Sequence, residues 1–158
     1  MLKVVRKRWL SWDFTVMEGP RVLADSDVSW WRKKGVLTVQ GVNYRVYREG
    51  LMSGDFILES AGSVLARAVK PSAFGRSFII DHKRKQYTLR QESGLAFRGA
   101  FALLDGPLQI GSLAPDGALM RTATVVLPDH LPLPVKVFTV WLTFILWRWE
   151  GFASPGAT

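Results

Sequence analysis

The stretch LPLPVKVFTVWLTFILWRWE, Leu131 to Glu150, is the longest apolar run of the chain and decides its fold. Pro132 and Pro134 favour a helix that begins beside them, because proline is tolerated in the first turn of a helix but not in its interior. From Val135 onward the residues are apolar on nearly every side, which is typical of a helix surrounded by protein or by lipid. A helix over 135–149 would be ~22 Å long, shorter than the ~30 Å hydrocarbon layer of a membrane. We therefore predict a core helix, with a C-terminal membrane anchor as the alternative interpretation.

The composition is that of a folded chain. Of its 158 residues, 48% are hydrophobic and 22% are charged, which favours one domain with a sizeable core. The absence of Cys excludes disulfides, thiolate metal sites and thiol nucleophiles. The opening MLKVVRKRWLSW carries its charges inside the segment and has no apolar stretch of signal-peptide length, so we predict a cytoplasmic protein. The formal net charge of +8 points to an acidic partner such as nucleic acid or anionic lipid, or else only to solubility.

Three segments of the sequence repeat one another. Phe14, Phe56 and Phe101, which lie 42 and 45 residues apart, each open a strand-like segment that turns at a glycine and resumes with aliphatic residues. A second hairpin pattern follows the first two segments, with Tyr44 and Tyr87 at matching places. Each full unit is therefore predicted to contain four short strands. Such a unit is also the size of a propeller blade, but propellers need at least four blades and this chain has room for three.

The repeats predict a barrel. One N-terminal strand, two units of four strands and a final group of three give twelve strands in total. Eight strands can be filled by side chains and sixteen enclose a channel, so twelve leave space for a helix ~10–12 Å across. We predict a mainly β fold, a closed twelve-stranded antiparallel barrel with the hydrophobic C-terminal helix running through it. The predicted domain covers 1–150, with the central helix at about 135–149 and a flexible tail at 151–158.

Two local stretches and the repeat pattern resemble a known superfamily. KRWLSWDF, Lys7 to Phe14, looks like the start, and Leu131 to Trp149 looks like the central helix, of small bacterial members of the tubby C-terminal, LURP-one-related and phospholipid scramblase superfamily. The resemblance covers nearly the whole chain and implies a non-enzymatic domain; tubby members bind phosphoinositides. The Cys-rich palmitoylation segment and the acidic calcium loop of scramblases have no counterpart here, so the resemblance does not imply scramblase activity.

The sequence has no pattern typical of an enzyme. His82 and His130 each lie beside an Asp in a predicted turn, and a carboxylate on the neighbouring residue seldom orients a catalytic base, so we interpret both as solvated turn residues. Nucleophile elbows, phosphate-binding glycine loops and His-rich metal spacings do not occur. We predict no enzymatic activity, no cofactor and no metal.

Topology gathers aromatic and basic residues at one end of the predicted barrel. Equivalent loops of a four-strand repeat fall at the same end, and the helix runs back to that end, which brings six of the seven Trp there. Trp beside Arg or Lys suits the lipid headgroup layer, although the rings can instead plug the barrel end, the interpretation that we prefer for Trp30 and Trp147. The predicted lipid-binding set, called the basic rim below, consists of Arg8, Trp9, Trp12, Trp31, Arg32, Lys33, Lys34, Arg76, Arg98, Arg121, Arg148 and Trp149.

Three classes of function remain at this point. The first is a peripheral module that binds anionic phospholipid headgroups at the inner face of the membrane. The second is a protein-interaction or structural domain whose partner is unknown. Nucleic-acid binding is the third and the least expected, since the charge is basic but no recognised binding motif is present. The charge run at 83–85 falls on a hairpin tip at the opposite end of the barrel, where we interpret it as solvated.

Overall fold

The structure, a computed structural model, describes residues 1–8, 11–29, 34–50, 54–71, 75–92, 99–117 and 121–153, with side chains up to Arg148. Twelve strands precede one helix. The strands are β1 (Leu2–Arg6), β2 (Phe14–Glu18), β3 (Arg21–Ser29), β4 (Lys34–Val39), β5 (Val42–Arg48), β6 (Phe56–Ser60), β7 (Ser63–Val69), β8 (Ser77–His82), β9 (Lys85–Gln91), β10 (Phe101–Asp105), β11 (Leu108–Pro115) and β12 (Thr122–Val126), and the helix is α1 (Leu133–Ala153).

The strands form a closed antiparallel barrel in which each strand pairs with its neighbours in the sequence and β1 also pairs with β12. Val4 shows the closure, since it lies opposite Val16 on β2 and opposite Ala123 on β12. Closure gives each of the twelve described strands a partner on both edges. The predicted fold, a twelve-stranded barrel with a buried C-terminal helix, is confirmed.

The internal repeat is visible in the pairing of the strands. Phe14, Phe56 and Phe101 are the first residues of β2, β6 and β10, and all three are buried. Each of these strands has a shift of register at the same place relative to its Phe, between residues 16 and 17, 58 and 59, and 103 and 104. Such irregularities bend a strand and increase its twist, so the three units curve the barrel wall alike.

Helix α1 occupies the inside of the barrel. Every residue from Val137 to Trp147 is buried, so the helix is surrounded on all sides by protein. Rings of α1 contact the three repeat Phe from three directions, with centroid distances of 4.9 Å for Phe14–Phe144, 5.6 Å for Phe56–Trp141 and 6.4 Å for Phe101–Trp147. The helix therefore fills the space that twelve strands leave.

The bounds of α1 differ from the predicted range of 135–149. The helix begins at Leu133 and ends at Ala153, so its last three residues lie in the segment that the sequence assigned to a tail. Glu150 and Gly151 interrupt the apolar run, but the helix continues through them to Ala153. Residues 154–158 lie outside the described residues. Within the described part of the chain, no helix combines the length and the apolar character needed to cross a membrane.

The two ends of the barrel differ. One end, called the turn end, carries two-residue turns at Gly19-Pro20, Gln40-Gly41, Ala61-Gly62, Lys83-Arg84 and Gly106-Pro107. The other end, called the rim end, receives the connections that follow β1, β3, β5, β7, β9 and β11, together with the C-terminal end of α1. The rim end is the one on which the sequence predicted the basic rim.

Candidate anion-binding end of the barrel

The basic rim lies at the rim end as far as the structure describes it. Six of its residues are placed there: Arg8, Trp12, Lys34, Arg76, Arg121 and Arg148. The others lie outside the described residues, namely Trp9, Trp31, Arg32, Lys33 and Arg98, as does the side chain of Trp149.

A basic pocket opens between β1 and β12 at the rim end. Its volume is about 300 Å³, and its lining consists of Val5, Arg6, Lys7, Arg8, Arg121 and Thr122. Every charged residue of this lining is a cation. Pairing of Val5 with Thr122, and a hydrogen bond of 2.9 Å from the backbone nitrogen of Arg6 to the carbonyl of Arg121, hold the two walls together. Four cations thus line one concave site, the arrangement expected of an anion-binding pocket.

Arg6 is the most constrained cation of this pocket. Its Nε donates a hydrogen bond of 3.1 Å to the carbonyl of Ser11, and its guanidinium carbon lies 4.2 Å from the centroid of the Trp12 ring. Burial and the neighbouring charge of Arg121 lower the pKa of Arg6 below its ordinary value. The positive charges of Arg6 and Arg121 therefore lie close enough to repel each other.

A second basic cluster lies across the rim end. Burial and the charges of Arg48 and Arg76 lower the pKa of Lys70, so both Arg lie near Lys70. Lys70 directly follows β7, which is six strands from β1 in either direction around the barrel, so this cluster lies on the wall opposite the pocket. Arg148 belongs to α1 between the two walls, and burial lowers its pKa as well.

The carboxylates in the described connections of the rim end accept hydrogen bonds from residues of the barrel wall. Glu49 and Asp55 both accept hydrogen bonds from Nη1 of Arg67, at 2.7 Å and 2.8 Å. The other carboxylates accept hydrogen bonds as well, Asp13 from Ser26 and the backbone of Val28, Glu92 from Gln109, and Asp116 from Lys3 and Thr124. These bonds tie the negative charges to the barrel wall.

The two Trp whose rings are described at this end pack into the barrel. Trp147 is buried, its Nε1 donates a hydrogen bond of 2.6 Å to the carbonyl of Gly99, and its ring lies edge-on to Phe144 at 5.0 Å. Trp12 is half-buried and lies edge-on to the same Phe144 at 5.9 Å. Trp147 therefore plugs the barrel end, as the sequence analysis favoured. Trp12 contacts both the core, at Phe144, and the basic pocket, at Arg6.

The two histidines have different surroundings. His130 is exposed in a turn, as expected, whereas the interpretation of His82 as a solvated turn residue is wrong. His82 is the last residue of β8, is buried, and its Nδ1 lies 2.8 Å from the carbonyl of Leu65. Because His82 directly precedes the turn, the sequence analysis assigned it to the turn and not to the inward face of β8. Within the described residues, His, Asp and Glu side chains form no group of three that could hold a metal ion.

Sequence reasoning missed four cations of the rim end, namely Arg6, Lys7, Arg48 and Lys70. Three of them could have been found from their positions at strand ends. Arg6 and Arg48 are the last residues of β1 and β5, and Lys70 directly follows β7. Basic residues at the ends of the strands that run toward the rim end, which β1, β5 and β7 carry, were therefore the pattern to look for. Lys7 lies one residue further, with its Nζ 3.1 Å from Oδ1 of Asp25.

Comparison of the chain with protein-family models, with curated proteins and with solved structures gave no match. The resemblance to the tubby, LURP-one-related and scramblase superfamily therefore rests on the quoted sequence patterns, and it stays a prediction. Function has to be argued from the geometry of the rim end.

Proposed function

We propose that this protein is a non-enzymatic barrel domain, of the kind found in the tubby and LURP-one-related superfamily, that docks peripherally on anionic phospholipid at the inner face of the membrane. The observation that carries the proposal is the presence of two basic clusters on opposite walls of one barrel end. A flat anionic surface meets both clusters at once only when the barrel approaches it end-on. The carboxylates of the same end are bound to wall residues and leave the balance of charge positive.

The cations carry this binding, and the two Trp rings that the structure describes at this end contribute little. Trp147 is buried and Trp12 is half-buried, so neither ring presents the wet face that a headgroup contact needs. Each Lys or Arg near an anionic membrane contributes ~1 kcal/mol, and salt screens this attraction over ~10 Å at 0.1 M. We expect weak and salt-sensitive binding to anionic vesicles.

The test is sedimentation with vesicles of phosphatidylcholine, with and without phosphatidylglycerol, at low and high salt. The variant Lys34→Ser, Lys70→Ser, Arg76→Ser removes three cations of the rim end, none of which lines the pocket. Its control, Arg21→Ser, Lys83→Asn, Arg84→Asn, removes the same charge from the turn end. We expect the rim-end variant to lose binding several-fold and the control to lose much less.

Two outcomes contradict the proposal. Equal losses by the two variants mean that net charge alone drives adsorption to the vesicles. Absence of binding by the parent protein at low salt removes lipid docking and leaves the protein-interaction or structural domain as the function. A DNA mobility-shift assay run beside it tests the remaining class, for which we expect no discrete complex.

A further inference from the structure

The pocket between β1 and β12 differs from the rest of the rim end because it is concave and held in place on several sides. Its floor is Arg6, which is fixed by the carbonyl of Ser11 and by the ring of Trp12. Arg8 follows the end of β1, Arg121 directly precedes β12, and both are exposed. The antiparallel register of β1 and β12 holds the two strands together beside them. Because the guanidinium of Arg6 is already ordered, a ligand that binds it loses little further conformational entropy.

We propose that this pocket binds, as a discrete ligand in one-to-one stoichiometry, a phosphate group that carries more than one negative charge, such as a phosphomonoester or a pyrophosphate. This proposal rests on the proposed function, which makes the rim end the binding surface, and it adds the chemical class of the ligand. The phosphate can belong to a lipid headgroup or to a soluble molecule, and the pocket recognises the chemistry that the two share.

The charges of the lining select such a group over a singly charged anion. Three Arg and one Lys are among the residues that line a volume of about 300 Å³. A carboxylate or a phosphodiester brings one negative charge, whereas a phosphomonoester brings about −1.5 to −2 at pH 7. The planar fork of Arg also matches two phosphate oxygens at once, which an ammonium does not do.

Lys7 has a smaller part than the three Arg. Its ammonium is 3.1 Å from Oδ1 of Asp25 and donates a hydrogen bond of 2.9 Å to the carbonyl of Ser26. These contacts direct Lys7 toward β3, so its charge acts on the pocket from a distance. Arg6, Arg8 and Arg121 are therefore the residues expected to contact the phosphate oxygens.

The direct test is calorimetric titration of the full chain with sodium pyrophosphate, without vesicles and at constant ionic strength, beside a titration with acetate. We expect saturable one-to-one binding of pyrophosphate and no saturable signal with acetate. The variant Arg8→Ser, Arg121→Ser should bind pyrophosphate about tenfold more weakly or worse, a loss of ~1.4 kcal/mol. The control Arg21→Ser, Arg84→Asn, which removes the same charge from the turn end, should bind like the parent.

A charge-preserving variant separates recognition from net charge and from folding. Arg121→Lys keeps the positive charge and the backbone carbonyl that holds Arg6, but it removes the fork. We expect weaker binding of pyrophosphate at an unchanged melting temperature. Equal affinity of the parent, the double variant and the turn-end control would overturn the proposal, as would the absence of saturable binding by the parent.

Vesicles then distinguish the source of the phosphate and keep the two proposals apart. A phosphomonoester headgroup predicts that the parent prefers vesicles with phosphatidic acid over vesicles with phosphatidylglycerol, and that Arg8→Ser, Arg121→Ser abolishes this preference. Pyrophosphate binding without any vesicle binding supports the pocket with a soluble ligand and refutes lipid docking. Vesicle binding without pyrophosphate binding supports lipid docking and refutes the pocket.

Discussion

Trp147 closes the rim end of the barrel with a single side chain. Its ring is buried between Phe101 and Phe144, and its Nε1 donates a hydrogen bond of 2.6 Å to the carbonyl of Gly99. The same residue therefore joins α1 to the segment that leads into β10. A buried carbonyl that loses a hydrogen-bond donor keeps the cost of its desolvation, so this bond has more influence on stability than an exposed one.

Trp147→Phe tests the contribution of this bond. The substitution keeps an aromatic ring against Phe101 and Phe144 but removes the donor to Gly99, so we expect the free energy of unfolding to fall by ~1–3 kcal/mol. Urea titration followed by circular dichroism measures the change. Trp12→Phe at the half-buried neighbouring position is the control and should cost less. A smaller loss at Trp147 than at Trp12 would show that the bond to Gly99 contributes little.

The hairpin of β8 and β9 is the element whose turn least suits its residues. Lys83 and Arg84 have φ of 48° and 63°, the left-handed region that disfavours residues with a Cβ. Each of the other two-residue turns contains a glycine, at Gly19, Gly41, Gly62 or Gly106. A two-residue turn with both residues in this conformation favours Asn-Gly. This hairpin therefore keeps two cations at a cost in backbone free energy.

Lys83→Asn, Arg84→Gly should make the barrel more stable, because it relieves a strain of ~1–2 kcal/mol per left-handed residue, less the entropy of the added glycine. A rise in the melting temperature checks the prediction. Gly41→Arg introduces the opposite change at φ of 81° in the hairpin of β4 and β5, and it should lower the melting temperature. A double variant no more stable than the parent would mean that contacts of Lys83 and Arg84 offset their strain.

The seam between β1 and β12 carries a polar network in addition to its backbone pairing. Nζ of Lys3 lies 3.0 Å from Oδ2 of Asp116 and donates a hydrogen bond of 2.6 Å to the hydroxyl of Thr124. That hydroxyl donates a bond of 2.6 Å to Oδ1 of Asp116. The network joins the first strand to the last two and reinforces the closure of the barrel.

This network predicts a dependence of stability on pH. Hydrogen bonds from Thr124 and Lys3 lower the pKa of Asp116 below its ordinary value of 3.8, so the carboxylate stabilises the fold above that pH and the stabilisation is lost as the pH falls further. Asp116→Asn should therefore lower the free energy of unfolding by ~0.5–1 kcal/mol at pH 7, since the pair is partly exposed. Melting curves of parent and variant should converge below pH ~4. If the melting temperatures of parent and variant still differ at low pH, packing and not the charge of Asp116 accounts for the loss of stability.

At the scale of the whole molecule, the two ends of the barrel differ in the chemistry of their exposed residues. The exposed large hydrophobic residues in the described part of the chain lie at or beside the turn end, namely Met1, Val22, Val42, Val64, Leu108 and Val126. They are spread over several strands, which is normal for a protein surface. The two basic clusters lie at the rim end. The vesicle experiment is a test at this scale, because its two triple variants share one net charge and differ in which end loses it.

Sequence alone determined the number of strands, the core helix and the end of the barrel on which the basic residues lie. Phe14, Phe56 and Phe101 marked equivalent strands because strand alternation and turn glycines are local properties of the chain. An antiparallel chain alternates direction at each turn, so every second loop falls at the same end. The apolar run after Pro134 indicated the helix for the same local reason.

Only the tertiary structure decided which of the basic residues meet. Arg6 and Arg121 line one pocket because β1 pairs with β12. The two residues are far apart in the sequence, so no local pattern predicts that they meet. Likewise, only the structure shows that the partner of His82 is the carbonyl of Leu65 on the neighbouring strand. Periodicity in the sequence predicts which side chains of a strand face the core, and the order of the turns predicts toward which end the strand runs. Register and closure decide which side chains come together, because the hydrogen-bonded ladder aligns strands by position across the barrel and not by order along the chain.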